Sequence, residues 1–106
     1  MKTSELSGAA LDWAVTKCET GQPLDVNGPF LVAFKYSTDW AQGGPIIERE
    51  KISTNSDYNG AHPDPWVAES YAGGVQQTGP TPLIAAMRCY VASKLGDNID
   101  IPKELT

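Results

Sequence analysis

The chain has 106 residues, 41% hydrophobic and 20% charged, which suits one globular domain over residues 1–106 and excludes both a disordered chain and a membrane-embedded one. The formal net charge is −5, and the eight basic residues are scattered among thirteen acidic ones. Nonspecific nucleic-acid binding needs clustered Lys and Arg to displace counterions, so this composition argues against it, although a local basic pocket stays open.

The opening stretch, "MKTSELSGAALDWAV", has no basic run followed by a continuous apolar one and does not read as a signal peptide. No window approaches the ~18 consecutive apolar residues of a membrane-spanning helix. The expectation is a protein that stays in the cytoplasm where it is made. Cys18 and Cys89 lie far apart, outside any metal-type spacing and inside apolar segments, and read as two reduced, buried thiols.

In chain order, the first predicted element is a helix over 7–19. Leu11, Ala14, Val15 and Cys18 share one stripe, Ser4 or Ser7 supplies a cap and Gly21 a left-handed stop. "GQPLDVNGP" reads as a loop with turn chemistry at Asn27-Gly28. "PFLVAFKY" is the best strand, because Phe30, Val32, Phe34 and Tyr36 alternate onto one face. In "TDWAQGGPIIERE", Pro45 suits the first position of a helix. "PIIEREKI" then reads as one to two helical turns gripping the core through Ile46, Ile47 and Ile52.

Residues 53–65 are polar and turn-rich and read as a surface loop with a mobile tip. "WVAESY" reads as a second short strand, with Trp66, Ala68 and Ser70 on one side, and "AGGVQQTGP" as loop. The clearest element is a helix over 82–95, with Thr81 as N-cap, Pro82 first, Lys94 in the last turn and Gly96 as the stop. Ile84, Met87, Val91 and Leu95 form its stripe, widened by Leu83, Ala86 and Tyr90. "NIDIP" predicts an edge strand ending at Pro102. These elements imply an α+β fold: a small antiparallel sheet containing residues 30–36, packed against two main helices, with long irregular central loops. Trp13, Trp40 and Trp66 exceed what so small a core easily hides, which predicts a homo-oligomer.

The chemistry-bearing residues are few. His62 is the single histidine, so a metal site lacks its convergent ligands, and neither a metal nor a cofactor is expected. There is no G-x-S-x-G, no phosphate-loop ending and no G-x-G-x-x-G. Glu48 and Glu50 point to different sides of their helix, a poor acid/base pair. What remains is a binding constellation. Trp40 offers a flat face, Gln42 both donates and accepts, and Gly43 and Gly44 permit close approach. Two helix starts, Gly44-Pro45 and the turn Thr78-Gly79-Thr81, have amides that can receive an anion. Tyr36, Asp39, Glu48, Arg49 and Arg88 complete the candidate ligand-binding set, with Arg49 or Arg88 supplying positive charge. Arg88 either pairs internally with an acid such as Asp39 or Glu48, or reaches the ligand.

Three strings, "MKTSELSGAALDWAV", "YSTDWAQGGPIIERE" and "GPTPLIAAMRCYVASKLGD", resemble the NinX-like small accessory proteins of lambdoid phages and related prophages. The resemblance covers both ends and the centre of the chain. It implies an early phage protein working in the host cytoplasm and brings no catalytic or binding residues with it. A small acidic phage protein without a catalytic signature is expected to bind rather than to catalyse. Its candidate partners are a nucleotide-type defence signal, which it would sequester, or a host protein, which it would inhibit. A small metal-independent enzyme is a third reading.

Overall fold

The structure, a computed structural model, describes residues 1–21, 34–56, 64–71 and 74–105. Three helices stand out among the described residues: α1 (Gly8–Thr20), α2 (Trp40–Glu50) and α3 (Pro82–Leu95). The strands β1 (Ser53–Ser56), β2 (Trp66–Glu69) and β3 (Gln76–Gly79) pair antiparallel in the order β1-β2-β3. The α+β architecture expected from the sequence is present. Of the two main helices, α3 lies directly on the sheet and α1 packs on α3, as α2 also does.

That central position explains the burial of α3. Residues Ala85 through Ala92 are all buried, which exceeds the one-sided stripe of a surface helix. The caps are those anticipated. Thr81 accepts the Ile84 N–H at 3.1 Å, Pro82 takes a first-turn position where its missing donor costs nothing, and Gly96 closes the end. Helix α1 ends on Gly21 at φ 72°, and Ser7 takes the cap position by backbone conformation without a side-chain cap bond. Both cysteines are free thiols, Cys89 buried and Cys18 half-buried, and burial pushes each up to about 11.

The strands are not where alternation placed them. Within the expected strand 30–36, residues 30–33 lie outside the described set, and 34–36 leave strand geometry. The Lys35 carbonyl accepts the N–H groups of Thr38 and Asp39, at 3.2 and 2.8 Å, closing a turn. The Phe34 and Tyr36 rings do share a side, stacked with centroids 5.6 Å apart. The sheet comes instead from two stretches expected to be loop, "STNS" at 53–56 and "QQTG" at 76–79, on either side of "WVAE". Ala68 of the central strand is fully buried, as that strand's alternation requires. His62 and the tip of the middle loop lie outside the described residues. "NIDIP" forms no strand. Asn98 makes a single bridge to Lys2, and Ile99 N–H donates to the Met1 carbonyl.

Helix α2 starts earlier than its proline suggested. Asp39 is the cap, accepting from Ala41 N–H at 3.0 Å, and Pro45 sits inside the helix. A proline there leaves the Ala41 carbonyl without its helical donor, a cost carried by burying Ile46 and Ile52 and half-burying Ile47. The two glycines before it differ sharply. A Cβ at Gly43 would collide with the Tyr36 carbonyl oxygen and come within 2.6 Å of Leu83 Cδ1, whereas one at Gly44 would meet nothing within 4 Å.

The centre of α3 carries a buried charge. Arg88 Nε donates to the Leu6 carbonyl at 2.7 Å, Nη1 donates to the Thr78 carbonyl at 2.8 Å, and Nη1 lies 3.5 Å from Asp64 Oδ2. Burial pushes the guanidinium pKa down, and Asp64 offsets part of that shift.

Two outcomes follow for urea unfolding. Gly43→Ala should destabilise by about 1–3 kcal/mol through overpacking, while Gly44→Ala should stabilise by roughly 0.5–1 kcal/mol through helix propensity. Equal effects at the two positions would contradict the close packing of α2 on the start of α3. Separately, Arg88→Ala should cost about 3 kcal/mol or more, because it removes the donor to two main-chain carbonyls and the countercharge of Asp64. A loss comparable to that of an exposed-residue mutation would show that this network does not hold the core.

Candidate functional site

Beside the start of α2 lies a cleft of about 190 Å³, lined by Ser37, Thr38, Trp40, Thr81, Leu83 and Ile84. Trp40 is 54% exposed, against 4% for Trp13. One wall is the turn that leads into α2, and the other is the first turn of α3. Three hydroxyl-bearing residues and the aliphatic and indole carbon of Leu83, Ile84 and Trp40 line it, and none of these lining residues is charged.

The turn is held from below by α1. Asp12 is 7% exposed, and its Oδ1 accepts both the Ser37 N–H at 2.9 Å and the Ser37 hydroxyl at 2.7 Å. Desolvation raises the Asp12 pKa, while the Ser37 bonds and the Lys35 charge pull the other way. The residue is thus a buried acceptor that fixes the Ser37 backbone, and through it the position of Thr38 and Trp40. Sequence reasoning missed Asp12. The available signal was an acid in an otherwise apolar stripe, between Leu11 and Trp13.

The residues expected to form one site separate into several groups. Trp40 and Thr81 do meet across the cleft. Asp39 caps α2, and Gln42 turns inward, accepting from Lys35 N–H at 2.8 Å and donating to Asp39 Oδ2 at 3.2 Å. Tyr36 is half-buried, and burial raises its phenol. Gly43 is packed against Leu83, and Gly44 is half-buried in the helix rather than at its start. The anion site expected at Gly44-Pro45 does not form there: the helix begins at Trp40, and the Asp39 carboxylate already takes an amide at that terminus. Thr78 lies in β3, its hydroxyl donating to Asp64 at 3.0 Å. Glu48 is exposed on α2.

Neither arginine supplies the cleft with charge. Arg88 is taken up by Leu6, Thr78 and Asp64, so its internal partner is Asp64 rather than Asp39 or Glu48. Arg49 lies nine positions beyond Trp40, about 13 Å along the helix and half a turn away in azimuth. It pairs with Glu19 at 2.7 Å and Glu50 at 2.9 Å, beside the Tyr90 hydroxyl, which donates to Glu19 at 2.7 Å. Burial alone would raise the Glu19 carboxyl, but hydrogen bonds from Arg49 and Tyr90 outweigh it and hold the group below the ordinary range. For Glu50, the Arg49 bond has the same effect. Among the described residues no group of three or more His, Cys, Asp or Glu is placed to hold a metal ion, and no helix is long and apolar enough to cross a membrane.

A family model described as Bacteriophage P22, NinX matches residues 2–94. The chain belongs to that family. NinX membership makes it a phage accessory protein, and the match includes every residue that lines the cleft, from Ser37 to Ile84. A search of curated proteins finds no match.

The Asp12 latch gives a prediction with two signs. Asp12→Ala should cost roughly 1–3 kcal/mol by leaving the buried Ser37 donors unpaired, while Asp12→Asn, which keeps an acceptor oxygen, should cost less. A carboxyl raised in the folded state binds its proton more readily than in the unfolded chain, so Asp12 favours folding more as pH falls through its raised value. Glu19 and Glu50 act oppositely: their contribution is present above the ordinary carboxylate range and is lost as pH falls through their lowered values. Urea unfolding at several pH values should therefore show Asp12→Asn losing stability faster on acidification than the parent protein. Parallel pH curves for the two would contradict an Asp12 carboxyl raised by burial in the folded state.

Proposed function

We propose that this NinX-family chain is a non-enzymatic binding module acting in the infected host's cytoplasm, and that it binds a host protein through Trp40 and the adjoining cleft. The observation that carries the reading is the half-exposed indole of Trp40 standing over an apolar-walled cleft. An exposed aromatic beside a pocket is the arrangement of an interface anchor, since indole combines large apolar area with low entropy cost on ordering. The cleft is of a size to receive a side chain from a partner.

Sequestration of a nucleotide-type signal is the second reading. The juxtaposition of Trp40 with the Thr81 hydroxyl favours it, because a base can stack on indole while a hydroxyl bonds its edge. It ranks second because the arginines that were to receive phosphate are engaged elsewhere and Asp39 occupies the adjacent helix start.

The test pairs capture with calorimetry. The purified chain and its Trp40→Ala variant are exposed to host lysate, and the retained proteins are quantified by mass spectrometry. Both are also titrated with a panel of cyclic and linear nucleotides. A discrete host protein should be retained by the parent chain and lost from Trp40→Ala, with no heat from the nucleotides. Capture that survives the substitution would refute the Trp40 surface, and Trp40-dependent nucleotide binding would put the second reading first.

A further inference from the structure

We draw no further inference here: the strongest candidate, the outer edge of strand β1 (Ser53–Ser56) at one side of the three-stranded sheet, is a short polar edge, and nothing in the structure shows what covers it.

Discussion

The buried guanidinium of Arg88 is the constraint on which the rest of this small fold depends. A charge at the middle of the most buried helix is tolerable only if its donors are satisfied, and the satisfying groups are main-chain carbonyls far apart in sequence. Leu6 lies at the end of the N-terminal 3-10 turn (Thr3–Glu5), and Thr78 lies in the last strand. One side chain therefore joins the N-terminal segment to an edge of the sheet, and Asp64 brings in the approach to β2. The same N-terminal turn is fixed from its other side, where the Thr3 N–H donates to Asp97 O and its hydroxyl to Gly96 O, at 2.8 and 2.7 Å. From Thr78 the chain runs through Gly79 into the turn capped by Thr81. A Cβ at Gly79 would come within 2.7 Å of the Ala85 amide nitrogen, so this turn is set down directly on α3. The Arg88 network thus ends by placing one wall of the cleft.

The opposite wall depends on how α2 is held. Its C-terminal end joins the cluster of Glu19, Arg49, Glu50, Lys94 and Tyr90. The Arg49 and Lys94 side chains are about half exposed, and pairs of that kind contribute little individually. The stronger element there is the buried Tyr90, whose hydroxyl must find a partner and finds Glu19. Burial of Ile46 and the close approach of Gly43 to Leu83 fix the helix more firmly than its surface charges do. At the N-terminal end, the Asp12–Ser37 contact sets where the turn begins. Helix α2 is consequently held at both ends and through Gly43 and Ile46, and Trp40 at its start is its one exposed large apolar side chain.

How much of this was legible in the sequence follows from the kind of signal each element carries. The helices α1 and α3 have apolar stripes, capping residues and glycine stops, and their limits were readable to within a residue. The strands β1 and β3 are "STNS" and "QQTG", whose hydrogen bonding to β2 comes from main chain alone and leaves no apolar alternation to read. The strongest alternating run, Phe30 to Tyr36, was conversely overruled at its readable end, because Ser37 and Asp39 offer side-chain acceptors and donors that favour a turn. Pro45 misled as a helix start because Asp39 makes a better one. The pairing of Trp40 with the Thr81 turn was legible from residue chemistry. The fate of both arginines was not, since it depends on which carbonyls and acids the tertiary fold brings near. Asp12 was equally hidden, its role resting on a backbone amide 25 positions away.

The three tryptophans show which features the fold leaves unexplained. Trp13 is buried on α1, with the Lys17 ammonium 5.5 Å from its ring, and Trp66 packs partly against the core from β2. Each serves the interior, and each would leave a large void if truncated. Trp40 has no such role. It occupies the first position of a helix already capped by Asp39, where helix formation asks for nothing aromatic, and more than half of its surface meets solvent. A half-exposed indole adds less burial to the folded state than Trp13 does and increases the tendency to associate nonspecifically. Stability therefore gives no reason for tryptophan at this position. The binding role proposed above would supply one, and the neighbouring cleft, held in place by Arg88 on one side and Asp12 on the other, is where that contact would be made.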